Sequence, residues 1–368
     1  MQKINRDVRI DTLRGIMLVI MAIDHASLFS LPVYEGLGFI SAAQGFIFLS
    51  GIVVGLVYGK YTELGSREEL RKKARSRAKI IYLSHLLIYL FILFSSVLSS
   101  SPPIIWKQLV PLISNDPLKA LILGTALLDQ PRLLDILPMY VLFVLVSPTV
   151  LFYFNSSKEK YVLLGSLFLW GIAQLGIRKL ICSTLGKYVP IDLGTFDIFG
   201  WQVIYICGLY VGYTQFYSQK GKVKINGLLF AFSLIAIIGM FLVKHELISV
   251  INIGKINLDS LTDKEKMRPL RLFNFFVFCY AIAALSIKFK NFLKINPIAY
   301  LGRHSLQVFS FHVLFMFFII PYYSNATLIN KIYIVTSAVL SLYIPAWCHV
   351  RYTSFLGGMK ERAAASSS

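Results

Sequence analysis

Long apolar segments recur from one end of the chain to the other, and each is close to the length of a membrane-spanning helix. About 20 helical residues cross the hydrocarbon core of a bilayer, and helices satisfy their own backbone there. This template predicts about ten transmembrane helices, at residues 13–31, 37–58, 80–100, 135–155, 161–178, 198–215, 226–243, 272–289, 297–322 and 331–349. A further apolar stretch at 118–130 is too short to cross and is typical of a re-entrant or interfacial helix.

The composition agrees with an all-α, polytopic integral membrane bundle. Hydrophobic residues make up 56% of the 368 and charged residues 15%, whereas soluble domains carry about 25% charge. Because no long polar stretch separates the apolar segments, residues 1–358 are expected to form one membrane-embedded domain. Residues 359–368 are expected to be a disordered tail or a remnant of cloning.

The chain is strongly basic, with a net charge of +19. In a soluble protein this charge would suggest nucleic acid as a partner. Here the basic residues lie mostly between apolar segments, so anionic lipid and the positive-inside rule explain them and no nucleic acid is expected. The basic linker at 59–79 then predicts cytoplasmic termini, with the loops at 101–134, 179–197 and 244–271 outside. The four scattered cysteines match no metal-site spacing, so no metal is expected.

The first apolar segment carries ionisable residues, which are costly in a membrane and mark function by default. Arg14 and His25 are eleven residues apart, which is three helical turns plus about 20°, so they share one face roughly 16 Å apart. Asp11 lies on the same side and is expected to hold the guanidinium. Asp24 precedes His25 but points about 100° away, so it is expected to face another helix or a cavity, or only to cap the outer end with His25.

This arrangement suits acyl transfer from a cytoplasmic thioester. Arginine binds phosphates such as those of coenzyme A. A neutral imidazole near mid-membrane can take the proton from an attacking hydroxyl. The sequence therefore indicates an O-acyltransferase that uses acyl-CoA, with His25 and Asp24 as catalytic residues and Arg14 binding the donor.

Several segments resemble a known family. The Arg14-x10-His25 spacing resembles the signature of the acyltransferase-3 superfamily, and finer features resemble its OpgC family, named for succinylating osmoregulated periplasmic glucans. The similar segments are Leu13-Arg14-Gly15, Asp24-His25, Phe46–Gly51, Tyr82–His85, Leu137–Tyr140, Gly200-Trp201-Gln202, Pro269–Asn274 and Leu301–His312. Met139 with Ser147-Pro148 departs from the family pattern, at the level of packing.

The resemblance implies succinyl-CoA as the donor, an extracytoplasmic glycan as the acceptor, membrane lipid as surroundings and the inner membrane of a bacterium as the location. It also implies that Arg75, Arg77 and Lys79 bind the phosphates of coenzyme A, although a plain topology signal explains the same residues. His85 joins the candidate donor site, with a structural core histidine as the alternative.

Candidate acceptor or pocket residues complete the prediction. Trp201 and Gln202 begin the sixth segment on the outer side, and Arg271 with Asn274 begins the eighth. Trp201 can stack on a sugar, although interfacial Trp and Arg are also common anchors. The ninth segment adds Arg303, Ser305 and His312, whose alternative role is helix association through hydrogen bonds.

A proton-coupled secondary transporter is the alternative function, with Asp24 and His25 as a proton relay. Many such transporters are built from inverted repeats and have helices broken at matching positions. No repeat is visible in the sequence, which favours the acyltransferase.

The predicted topology is open to a direct test. In a cysteine-free background, Arg71→Cys and Asp259→Cys should be labelled from opposite sides of the membrane, Arg71→Cys from the cytoplasm. Labelling of both from the same side by a membrane-impermeant maleimide would contradict the arrangement of spans.

Overall fold

The computed structural model describes residues 7–26, 35–63, 65–100, 103–216, 225–247, 258–323 and 326–366. These residues form α-helices joined by short loops, and the described part contains one isolated β-bridge, between Asp129 and Asp192. The chain divides into two compact units. Unit 1 comprises Met1–Val33 with Leu293–Ser368, and unit 2 comprises Tyr34–Phe292.

The described helices are numbered along the chain. They are α1 (Val8–Ala26), α2 (Ala42–Glu63), α3 (Arg67–Leu98), α4 (Ile104–Leu109), α5 (Pro111–Asn115), α6 (Pro117–Thr125), α7 (Ile136–Asn155), α8 (Glu159–Gln174), α9 (Ile177–Leu185), α10 (Ile198–Phe216), α11 (Gly227–Lys244), α12 (Leu258–Thr262), α13 (Pro269–Lys288), α14 (Asn296–Arg303), α15 (Ser305–Tyr323), α16 (Leu328–Ser341) and α17 (Tyr343–Ser366). Unit 1 holds α1 and α14–α17, and unit 2 holds the rest.

The prediction of an all-α membrane bundle is confirmed. Seven described helices are long and apolar enough to cross a membrane, and the count is eight if α8 and α9, bent by 59°, form one span. The count of about ten is not confirmed. Two further predicted spans fall outside this count. One corresponds to α1, which carries four charged residues. The other corresponds to α10, whose described apolar part is shorter than that of the seven helices.

Three predicted boundaries were wrong. The third helix begins at Arg67 rather than near residue 80, so the basic residues of the predicted linker are helical. The ninth predicted span consists of two helices, α14 and α15, which are separated by a break at His304. The first helix begins at Val8. Residues 27–31 of the first predicted span lie outside the described residues, as does the basic linker at 220–224.

Helices α2 and α10 in unit 2 pack closely through glycines that are four residues apart on each helix. A Cβ atom at Gly51 or Gly55 would collide with the backbone of α10, and one at Gly208 or Gly212 with the backbone of α2. Lipid provides no hydrophobic drive for helices to associate, so close backbone approach at small residues stabilises the contact instead. The Phe46–Gly51 segment is therefore part of a helix-packing surface.

Hydrogen bonds in unit 2 bring the predicted external loops together. The Gln130 amide nitrogen donates to the Asp192 carbonyl at 2.8 Å, and the Asp197 nitrogen donates to the Glu265 carbonyl at 3.0 Å. These contacts join the loop after α6, the loop after α9 and the loop after α12. All three loops thus lie at one end of unit 2.

The opposite end of unit 2 contains the end of α2, the start of α3 and the ends of α7 and α10. Asn155 bonds the Thr62 carbonyl at 3.3 Å and accepts from the Tyr213 hydroxyl at 3.0 Å, and the Tyr58 hydroxyl lies 3.4 Å from the Lys73 carbonyl. The basic residues of α3 belong to this end. These contacts put the described parts of three predicted external loops at one end of unit 2 and the basic part of α3 at the other. The membrane topology stays a prediction.

The glycine contact gives a prediction on stability. Gly51→Ala and Gly212→Ala should each lower stability by roughly 1–3 kcal/mol, because a methyl group there forces backbones apart. Gly165→Ala in α8 is the matched control, since open space surrounds that position; it should be neutral or slightly stabilising. Thermal unfolding in detergent measures all three, and equal midpoints would contradict the proposed packing.

Candidate functional site

Two polar contacts join α1 to α15 in unit 1. The Arg14 guanidinium donates from Nη2 to the Ser305 hydroxyl at 2.5 Å, and both side chains are buried. Eleven residues further along α1, His25 Nδ1 lies 2.8 Å from His312 Nε2. The structure thus pairs two residues predicted for the first helix with two that the sequence assigned to an acceptor pocket.

The two contacts follow from helical periodicity. Arg14 and His25 share one face of α1, and Ser305 and His312, seven residues apart, share one face of α15. Because the contacts occur in the same order along both helices, α1 and α15 run parallel. One polar contact therefore lies at the start of both helices, and the other lies about 10–16 Å further along them.

The His25–His312 contact restricts where protons reside. The rings are 17° from parallel with centroids 5.0 Å apart, and His312 is 1% exposed. In a bond between two neutral imidazoles, one nitrogen donates and the other accepts, which fixes both tautomers. If His25 donates from Nδ1, its Nε2 is left as a basic nitrogen.

Helix α14 holds the start of α1 in place. Arg303 on α14 pairs with Asp11 at 3.6 Å, and the Ile295 nitrogen donates to the Thr12 hydroxyl at 3.3 Å. Gly302 lies against the backbone of α1, where a Cβ atom would collide with the Asp11 carbonyl. The Leu301–Ser305 segment therefore positions Arg14, and Arg303 serves as the ion-pair partner of Asp11. Asp24, beside His25, is 6% exposed.

The candidate donor residues of α3 lie in two environments in unit 2. Arg75 and Lys79, one turn apart, are exposed, and Arg77 is half-buried. His85 is fully buried, and its ring stacks on that of Tyr89. The exposed pair can meet an anion from solution, whereas His85 lies within the packed interior of unit 2.

Trp201 and Gln202 make structural contacts. The Trp201 ring is fully buried, and its Nε1 donates to the carbonyls of Lys264 at 3.0 Å and Glu265 at 3.1 Å. Gln202 accepts from the Ser166 hydroxyl and donates to the Ser166 carbonyl, each at 2.7 Å. These side chains tie α10 to the loop after α12 and to α8, while their role toward an acceptor stays a prediction.

Arg271 and Asn274 also bond within the protein. Arg271 Nη1 lies 2.7 Å from Glu35 Oε1 and 3.0 Å from the Phe39 carbonyl, and Asn274 accepts from the Phe39 nitrogen at 2.8 Å. Burial acts to raise the pKa of Glu35, but the charge and hydrogen bond of Arg271, with Lys244, hold that pKa below its ordinary value. This cluster anchors the segment before α2.

Sequence reasoning missed a second polar cluster, around Tyr89. The Tyr89 hydroxyl lies 2.7 Å from the Ala120 carbonyl and 2.5 Å from Asp129 Oδ2. Burial raises the pKa of Asp129 more than the Tyr89 hydrogen bond lowers it. The Tyr89 hydroxyl carries a single hydrogen, so the Ala120 carbonyl and the Asp129 carboxyl compete for it. Glu35 was missed too, although a lone acid between two apolar segments is a signal for a buried ion pair.

The fold and these buried polar pairs define an all-α integral membrane protein with an arginine and a histidine on one face of its first helix. A family model described as OpgC protein matches residues 6–354. The chain belongs to the OpgC family. No curated protein matches the chain, and no solved structure matches it either.

The Glu35–Arg271 pair predicts acid sensitivity. Because the folded state lowers the pKa of Glu35 from 4.5, the pair stabilises fully above that value, and the stabilisation is lost as the pH falls through the lower folded pKa. Glu35→Gln should cost about 3–5 kcal/mol at neutral pH by leaving Arg271 without its buried counter-ion. In the same variant, the free energy of unfolding should fall less steeply as the pH is lowered.

Glu246→Gln is the matched control, since Glu246 is exposed and should leave the pH profile unchanged. Unfolding midpoints measured from pH 7 to about pH 3 compare the variants. If the unfolding midpoint of Glu35→Gln fell with pH as steeply as that of the wild type, the Glu35–Arg271 pair would not be the cause of the acid sensitivity.

Proposed function

We propose that this protein is a membrane O-acyltransferase that moves an acyl group, succinyl by family resemblance, from cytoplasmic acyl-CoA to a hydroxyl of an extracytoplasmic glycan. Membership of the OpgC family supports a transferase of this kind. The observation that carries the mechanism is the alignment of Arg14 and His25 on one face of α1, each with a partner on α15. Placement within the acyltransferase-3 superfamily belongs to the same proposal.

His25 acts as the general base. The acceptor oxygen attacks the thioester carbonyl carbon while Nε2 of His25 takes the hydroxyl proton. The tetrahedral intermediate then collapses, the carbon–sulfur bond breaks, and the proton passes from His25 to the departing thiolate. General-base assistance of this kind contributes roughly 10²–10⁴-fold to rate.

His312 acts as a positioning residue for His25. By accepting from Nδ1 of His25 it selects the tautomer whose Nε2 is basic, and it stabilises the imidazolium that forms during attack. A buried partner that orients a catalytic imidazole is a recurring device in acyl transfer. Asp24 remains a candidate for tuning the charge of His25, since the two are neighbours on α1.

Arg14 binds the donor at the start of α1. Ser305 accepts from one nitrogen of its guanidinium, and the five-donor fork of a guanidinium suits phosphate and carboxylate oxygens. Arg75 and Lys79 are the second candidates for phosphate contact, because both are exposed cations on α3. Arg77 and His85 remain candidates from the family resemblance.

The transporter alternative receives less support. A transporter of this kind is expected to have broken helices at matching positions in two repeats. The breaks after α8 and after α14 fall in different units, which contain twelve and five described helices. These units do not form two comparable halves.

Paired variants test the mechanism. His25→Ala should abolish transfer of labelled succinyl from succinyl-CoA, while coenzyme A still binds. Arg14→Ala should weaken coenzyme A binding by at least tenfold, and Arg14→Lys should weaken it less. His312→Ala should lower kcat with little change in the KM for succinyl-CoA and shift the pH profile of kcat, because it alters the protonation of His25.

His245→Ala is the control, since His245 belongs to unit 2 and bonds the Gly36 carbonyl. It should transfer at the wild-type rate. Near wild-type transfer by His25→Ala would remove the proposed base and shift attention to His85. Equal coenzyme A affinity in Arg14→Ala would exclude Arg14 from the donor site.

A further inference from the structure

We propose that a polar cleft in unit 2 binds a sugar ring of a neutral, hydroxyl-rich acceptor. The cleft has a volume of about 230 Å³. Its lining residues come from the three loops that meet at one end of unit 2: Gln130, Arg132, Asp192, Gly194, Thr195 and Glu265. This inference rests on the proposed function, to which it adds a docking position for the acceptor.

The cleft has a rigid base. Arg178, 9% exposed, donates to the carbonyls of Gly194 and Thr195 and pairs with Glu265 at 3.3 Å. The buried Asp135 accepts from the Thr195 nitrogen at 2.9 Å. Gly194 has φ +73°, and a Cβ atom there would collide with Asp135. Two buried charged side chains thus hold one wall.

A second wall is joined to the first by backbone pairing. The Gln130 nitrogen donates to the Asp192 carbonyl at 2.8 Å, and the Asp192 nitrogen donates to the Leu128 carbonyl at 3.0 Å. These bonds fix the distance between the loop that carries Arg132 and the loop that carries Asp192. The two loops that carry the polar side chains of the rim are therefore held in register by backbone bonds.

The chemistry of the rim indicates a neutral ligand. Arg132 is exposed and supplies guanidinium donors, Asp192 supplies a carboxylate, and Gln130 supplies an amide. The Glu265 charge is offset by Arg178. With that pair neutralised, the Asp192 carboxylate would repel a phosphate, and the Arg132 guanidinium would repel a simple cation. A sugar hydroxyl donates and accepts at once, so it can use both kinds of group.

Size and position agree with a sugar ring. Pockets that enclose drug-sized ligands measure roughly 300–1,000 Å³, so this cleft suits a single ring rather than a whole coenzyme A. It also lies at the end of unit 2 opposite the exposed Arg75 and Lys79. Under the predicted topology, that end faces the extracytoplasmic side, where a glycan acceptor would arrive.

Binding to the full-length protein tests the proposal. The probes are three neutral glucose disaccharides of different linkage, cellobiose, laminaribiose and sophorose, added to protein in lipid nanodiscs, because sugar-headed detergents would compete. At least one should bind with a millimolar or better Kd. Arg132→Ala and Asp192→Asn should each weaken that binding at least tenfold. Lys187→Ala should not, because Lys187 is an exposed cation earlier in the loop after α9 and does not line the cleft.

Unfolding midpoints and coenzyme A affinity of each variant report whether the protein is intact, and both should match the wild type. Unchanged disaccharide affinity in Arg132→Ala and Asp192→Asn would overturn the cleft as a sugar site, as would the absence of any disaccharide binding to the wild type. Neither result would contradict the role of His25 in acyl transfer. That role would be contradicted by full transfer activity in His25→Ala, a result that would not change disaccharide binding.

Discussion

A polar or charged side chain within a membrane bundle must find its partner inside the protein, because hydrocarbon offers none. The arrangement of both units follows from this constraint. In unit 1 the charged helix α1 is tolerated because α14 supplies Arg303 to Asp11, and α15 supplies Ser305 to Arg14 and His312 to His25. Moving α15 along its axis would separate both α1–α15 contacts at once. The same contacts that make burial of α1 possible therefore fix the candidate chemical groups.

The constraint also explains why polarity in a membrane sequence does not by itself separate function from structure. Arg271 and Trp201 were candidates for binding an acceptor because each lies at the outer start of a predicted span, where Trp can stack on a sugar. Their polar atoms bond to Glu35 and to backbone carbonyls of the chain itself. Arg14 also meets this requirement inside the protein, by donating to the Ser305 hydroxyl. Burial and internal bonding are therefore common to Arg14, Arg271 and Trp201, and variants rather than polarity must separate function from structure.

Local periodicity made part of this arrangement predictable. The shared face of Arg14 and His25, the shared face of Ser305 and His312, and the alternation of loops all follow from helix geometry and apolar segment length. The pairing of the two faces did not follow, because 291 residues separate Arg14 from Ser305 and no local rule relates them. The break at His304 and the helical start of α3 were missed for another reason: hydropathy marks where lipid lies and carries no signal for where a helix begins or bends.

The parallel course of α1 and α15 has a consequence for how two substrates meet. Parallel helices place the like ends of both at the same depth, so the Arg14–Ser305 contact marks one depth and the His25–His312 contact another, about 10–16 Å away. A donor whose anionic part is held at the first depth must extend an uncharged arm to reach the second, which is the form that an acyl pantetheine has. An acceptor need only reach the second depth from the opposite side. A base placed beside Arg14 would require the acceptor to pass the donor. Under the proposed function, the separation along one helix face would therefore let the two substrates meet from opposite sides.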